Sequence, residues 1–185
     1  MIEDILRDAG QKMEAAVRHA RGEIARIRTG RANPGLITDL SVAYYGTQVP
    51  LQQLAGVSAP EPRMLVVSPY DRNALKEIER AIQSSDLGLN PSNDGEVIRV
   101  VFPELTEERR RQFVRLAKER AEEGRTAVRN VRRHAKAEID RLARDGEVGE
   151  DDARRADKRL QEMTDQHVNM IDHMVSTKEK ELLEV

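Results

Sequence analysis

Apolar side chains recur at Ile2, Leu6, Ala9, Met13, Ala16, Ala20, Ile24 and Ile27, in steps of three and four almost throughout. That spacing draws one stripe along a helix and matches no strand. At 1.5 Å per residue, such a helix would run roughly 40 Å. A second stripe follows much later, at Val114, Ala117, Ala121, Gly124, Val128, Val131, Ala135, Ile139 and Leu142. Thr106 is its candidate N-cap, with Glu107 and Glu108 in the first turn, where carboxylates meet the positive end of the helix dipole. The run RDGEVGEDD, with Gly146 and Gly149, breaks that helix and restarts it on acids. A third stripe then runs through Ala156, Leu160, Met163, His167, Met170 and Met174, widened by Ile171 and Val175. Each stripe needs partners to bury it. The pattern therefore predicts an elongated antiparallel three-helix bundle whose first helix packs on helices far away in sequence.

The segment between, about Thr29 to Leu105, follows other periods. LSVAYYGTQVPL predicts two short strands around Gly46-Thr47, and RMLVVSPY a strand. DRNALKEIERAIQSS predicts a helix capped by Asp71, and EVIRVVF a strand ahead of Pro103, while DLGLNPSNDG is rich in turn formers. All seven prolines, Pro34, Pro50, Pro60, Pro62, Pro69, Pro91 and Pro103, fall here, and none interrupts a long stripe. The predicted class is α+β. Residues 1–29 and 106–185 form the bundle, and residues 30–105 form an inserted small α/β domain. Two linkers join them, Thr29, Gly30 and Arg31 on one side and Pro103, Glu104 and Leu105 on the other, and together they predict a hinge.

Composition supports helices over a broad sheet core: 35% of residues are charged, 3% are aromatic and tryptophan is absent. Without cysteine there is no disulfide, thiolate metal site or thiol nucleophile, which fits a reducing cytoplasm. MIEDILRDAG has acids where a signal peptide carries basic residues, and no apolar run approaches a membrane span. A cytoplasmic protein with no membrane partner is expected.

Charge nearly cancels, with 31 basic and 33 acidic side chains, yet arginine concentrates in VRNVRRHAK. One position past the second stripe runs a line of Arg111, Arg115, Lys118, Glu122, Arg125, Arg129, Arg132 and Lys136, and Arg133 lies in the same cluster. The line is rotated about 100° from the buried seam and should stay exposed. A solvated face usually mixes signs at i,i+4, whereas Arg111 and Arg115, Arg125 and Arg129, and Arg132 and Lys136 are like-charge pairs that folding alone does not favour. A polyanion would favour them, since guanidinium groups match phosphate oxygens and release counterions. The line predicts an RNA- or DNA-facing strip.

Catalytic and metal chemistry find little support. GRANPG lacks the lysine-serine or lysine-threonine pair of a P-loop and the spacing of a dinucleotide turn. His167 falls on a core seam, His19, His134 and His173 are isolated among charges, and no histidine pair has metal-ligand spacing with a third ligand nearby. Asp151 and Asp152 are explained by a helix start. Met163, Met170 and Met174 read as core. Tyr44 and Tyr45 face opposite sides of a strand, one towards the core and one as a possible contact. Two rivals stay open: a helical adaptor with exposed apolar stripes, and a small hydrolase using Ser68 or Ser92, neither of which has a nearby histidine in sequence. No metal, cofactor or catalytic residue is expected.

IRTGRANP (Ile27 to Pro34), YYGT (Tyr44 to Thr47), SDLGLNP (Ser85 to Pro91), LTEERRR (Leu105 to Arg111) and VRNVRR (Val128 to Arg133), in this order, closely resemble the bacterial ribosome recycling factors. The resemblance extends to the KEKELLEV tail. It implies an L-shaped molecule similar in outline to transfer RNA, acting as a monomer on the post-termination 70S ribosome. With elongation factor G and its GTP hydrolysis, such a protein separates the subunits. The bundle would lie against large-subunit ribosomal RNA, and the smaller domain would engage the elongation factor. The family's RNA-contacting arginines correspond to Arg28, Arg31, Arg110, Arg129 and Arg132. The least family-like stretches are Glu61 to Met64, parts of the inserted helix, and Arg144 to Asp157.

Overall fold

Each of the three apolar stripes folds as a helix in the computed structural model, which describes residues 1–184. In chain order the elements are α1 (Ile2–Ala25), β1 (Ser41–Tyr44), β2 (Thr47–Pro50), the single turn α2 (Leu51–Leu54), β3 (Ala55–Glu61), β4 (Met64–Pro69), α3 (Leu75–Gln83), β5 (Pro91–Asn93), β6 (Ile98–Val101), α4 (Glu107–Arg144) and α5 (Glu150–Leu183). The chain divides into two units, one of Met1–Thr29 with the residues from Glu107 onward, the other of Gly30–Thr106.

In the first unit α4 runs antiparallel to both other helices. Its Arg120 faces Glu23 near the end of α1, while Arg159 of α5 grips Glu3 near the start of α1. The seam of α1 is Leu6, Ala9, Met13, Val17, Ala20 and Ile24. Val17 takes the place expected of Ala16, which lies half-buried at the margin. On α4 the predicted positions are buried, with Val114 and Val131 at the edges.

The α5 seam differs from the hydrophobicity pattern. It runs through Leu160, Thr164, His167, Ile171 and Val175, leaving Met170 46% exposed and Met163 and Met174 at the border. Two polar side chains can be buried because each bonds to its own helix. The Thr164 hydroxyl donates to the Leu160 carbonyl at 2.8 Å, and the His167 Nδ1–H donates to the Met163 carbonyl at 2.6 Å. His167 is therefore a satisfied interior side chain, 8% exposed.

The connection between α4 and α5 is a Schellman turn. Glu147 N–H reaches the Leu142 carbonyl at 2.9 Å, Gly146 N–H reaches that of Ala143 at 3.2 Å, and Gly146 takes the left-handed φ of 72° that favours glycine. α5 then starts on Glu150, Asp151 and Asp152.

The second unit holds a sheet of order β3-β4-β6-β5, antiparallel at every pairing, and a separate β1-β2 hairpin. Tyr45 and Gly46 close that hairpin with φ of 46° and 81°. Ile78 and Ile82 of α3 join Leu65, Val67, Ile98, Val100 and Phe102 in the unit's own core. Asp71 starts the turn into α3 by accepting from Asn73 N–H at 2.9 Å, and it also accepts from the Tyr44 hydroxyl at 2.8 Å. Those two bonds hold its carboxyl below the usual carboxylate range, while bonding to Asp71 pushes the Tyr44 phenol up.

Two strands depart from the sequence expectations. β3 contains Gly56 and Pro60, and β5 opens on Pro91 inside the stretch expected to be turns. Both are edge strands, where a missing N–H costs no ladder bond. Pro60 falls where the β3-β4 pairing shifts, between Ser58 and Glu61.

The three helices approach one another closely at Gly124. A Cβ placed there would stand 2.9 Å from the Ala20 Cβ and 3.1 Å from the Ile171 Cδ1, so all three helices converge on a hydrogen atom. Gly124→Ala should lower thermal stability, because overpacking of about 1–3 kcal/mol outweighs a helix-propensity gain of about 1 kcal/mol. Gly22 has no atom within 4 Å of such a Cβ. Gly22→Ala should raise stability by about 0.5–1 kcal/mol, and thermal denaturation of the two variants checks both signs.

Candidate RNA-binding face

The basic line on α4 lies along the border that faces α5. In a three-helix bundle each helix contacts two neighbours, so one residue past the seam is still within reach of the next helix. Lys118 approaches Glu179 at 3.5 Å, Arg125 binds Asp172 at 2.7 Å, and Lys136 approaches Asp157 at 3.5 Å. Carboxylates of α4 itself hold further cations. Arg111 binds Glu107 at 2.5 Å, Lys136 approaches Asp140 at 3.4 Å, and Glu122 holds both Arg125 at 2.8 Å and Arg129 at 3.3 Å. The line expected from spacing to stay exposed is thus engaged by carboxylates over much of its length: Arg111, Lys118, Arg125, Arg129 and Lys136 are all ion-paired.

Arg125 departs from the exposed position expected of it, with a side chain only 20% exposed. Burial works against its charge, but Asp172 and Glu122 more than compensate and push its guanidinium pKa up. Arg115, Arg132 and Arg133 are different. None has an ion pair or hydrogen bond among the described residues; Arg115 and Arg133 are exposed and Arg132 is half-buried. Arg110 is half-buried beside the line, Arg28 follows the end of α1, and Arg31 is exposed in the second unit.

The missed residues are the carboxylates, and their signal is a matched repeat. Asp165, Asp172 and Glu179 recur every seven residues on α5, mirroring Lys118, Arg125 and Arg132 on α4. The antiparallel register that pairs Lys118 with Glu179 and Arg125 with Asp172 would set Arg132 against Asp165. Asp165 instead accepts from Gln161 Nε2 at 2.8 Å, and Arg132 stays open.

The linkers are tied to one turn of the second unit. Ala32 N–H donates to the Pro62 carbonyl at 2.7 Å, Phe102 N–H donates to that of Arg63 at 2.7 Å, and Glu104 lies 3.9 Å from the Arg63 guanidinium. Gly30 has φ 80°, and a Cβ on it would stand 3.3 Å from the Leu105 Cγ, so the two linkers touch. Thr29, Arg31 and Pro103 flank that contact in sequence.

The second unit contains no histidine, so neither Ser68 nor Ser92 has one within it. Large exposed apolar side chains on the described bundle are confined to Met1, Met170 and Leu183, which form no stripe. Among the described residues no group of three metal-ligating side chains converges, and no helix is long and apolar enough to cross a membrane.

The family model described as Ribosome recycling factor matches residues 20–183. The chain belongs to the ribosome recycling factor family. The Ribosome-recycling factor of Beutenbergia cavernae is 57% identical over 185 residues, 100% of both chains. That of Streptomyces coelicolor is 53% identical over 185 residues, again 100% of both. A solution structure of the ribosome recycling factor matches with a TM-score of 0.82 and 44% identity, covering 100% of this chain and 98% of that one. A second recycling-factor match, with a TM-score of 0.67, 44% identity and full coverage of both chains, comes from models of the T. thermophilus ribosome recycling factor and the E. coli elongation factor G bound to the E. coli post-termination complex.

The pairing pattern separates structural from available cations in this family member. Arg125→Ala should cost about 1–2 kcal/mol, because it removes bonds to two carboxylates. Arg132→Ala should change stability by no more than about 0.5 kcal/mol. Urea denaturation of both variants reads the difference.

Proposed function

We propose that this protein recycles ribosomes after termination, and that it does so by shape and attachment, with no catalysis of its own. The observation that carries the reading is the match over both full chains at 57% identity to a recycling factor. A solved relative bound together with elongation factor G to a post-termination complex supports it. In this reading the bundle docks on large-subunit ribosomal RNA of the 70S ribosome. Arg132, Arg133 and Arg115 supply the first phosphate contacts, because no carboxylate must be displaced from them. Arg110, Arg111, Lys118 and Lys136 extend that face, Arg125 and Arg129 stay on Glu122 in the middle of it, and Arg28 and Arg31 contact RNA near the first linker.

The inserted unit then moves on its two linkers, Thr29 to Arg31 and Pro103 to Leu105. The contact of Gly30 with Leu105 and the shared anchorage on Pro62 and Arg63 make the linkers move together. Elongation factor G hydrolyses GTP and delivers force, and the stiff bundle transmits it to the bridges between subunits. The protein works in the cytoplasm as a monomer and needs no cofactor.

Arg132→Ala should weaken ribosome binding and lower the slope of log affinity against log salt by about 0.7–0.9. Unchanged affinity and slope in co-sedimentation would remove the RNA-facing assignment. A disulfide engineered across the linkers, from the bundle to the inserted unit, to lock one bend should leave binding intact and block subunit splitting. Sucrose-gradient profiles of post-termination complexes with elongation factor G and GTP would show it, and full splitting by the locked form would eliminate the hinge.

A further inference from the structure

We infer that Glu122 divides the α4 face into two separate anion contacts, so that the protein accepts folded RNA and rejects a single strand. The inference rests on the RNA-binding reading above and concerns its selectivity. Glu122 is the one acid on the line, it lies between the unpaired cations, and its carboxylate holds Arg125 at 2.8 Å and Arg129 at 3.3 Å. Arg125 has a second partner in Asp172, whereas Glu122 is the only ion-pair partner of Arg129 among the described residues. Arg115 lies towards one end of the helix, and Arg132 and Arg133 towards the other. At the helical rise the two groups stand about 25 Å apart.

A single strand following the line would lay successive phosphates along it and meet the Glu122 carboxylate midway. There it faces repulsion, and an Arg129 that must leave its partner first. A folded RNA that presents two backbones about 25 Å apart meets Arg115 and the Arg132-Arg133 pair while leaving a gap opposite Glu122. Glu122 thus sets specificity through Arg129, by excluding generic polyanions from the middle of the face.

The test uses the full chain, a fluorescein-labelled oligouridine and 70S ribosomes. Glu122→Gln should bind oligouridine about threefold to tenfold more tightly at low salt, with a salt slope steeper by about 0.7 as Arg129 neutralises one more phosphate. Its ribosome affinity should stay within about twofold, since the gap makes no contact there. The double variant Glu122→Gln/Arg129→Ala should lose the oligouridine gain, which a change in fold alone would not produce, whereas a Glu122→Gln control that also carries Arg154→Ala, and so has the same net charge, should keep it. Unchanged oligouridine affinity in Glu122→Gln, a gain that survives in the double variant, or an equal gain on ribosomes would each overturn the inference. If Arg132→Ala still loses ribosome binding in that case, the functional reading stands without it. If Arg132→Ala binds ribosomes normally, the functional reading itself has failed.

Discussion

The single apolar stripe of α1 can be buried only by α4 and α5, and α4 begins at Glu107. That requirement organises everything else. It makes the bundle close around contacts of long sequence separation, which cost loop entropy before they return any burial. It also sets aside the intervening chain, which builds a core of its own from Leu65, Ile78, Ile98 and Phe102. The seam is thinned by alanines and by Gly124, so the helices approach closely.

Close approach decides the electrostatics too. Because α5 lies tight against α4, the carboxylates of Asp157, Asp172 and Glu179 reach cations that spacing alone would leave in water. Surface pairs of this kind contribute little stability each, and Arg125 is the exception because it is largely covered. Their greater effect is on availability. A paired guanidinium must give up a carboxylate before it takes a phosphate, so the cations ready for a polyanion are those the ladder omits, Arg115, Arg132 and Arg133.

The three helices were legible because apolar periodicity reports burial directly and the prolines mark where long helices cannot run. Three kinds of feature were not. Thr164 is buried although polar, since its hydroxyl bonds within its own helix, and this moved the α5 seam away from Met170. β3 and β5 carry prolines that argue against strands, and only their place at the sheet edges makes them tolerable. The pairing of the basic line depends on which neighbour faces it, which the spacing within α4 cannot report. The matched seven-residue repeat of acids on α5 carried that information, but only when two distant segments are compared.

The clasp at Pro62 and Arg63 also bears on how such a chain can change over generations. Because one turn receives the chain on entry through Ala32 and on exit through Phe102, the two ends of the inserted unit lie side by side. A module with adjacent ends can be spliced into a host at a single break without prising the host apart. The inserted unit has that cassette geometry, in which a change of loop length within it leaves the path of the chain back into the helical frame unaltered.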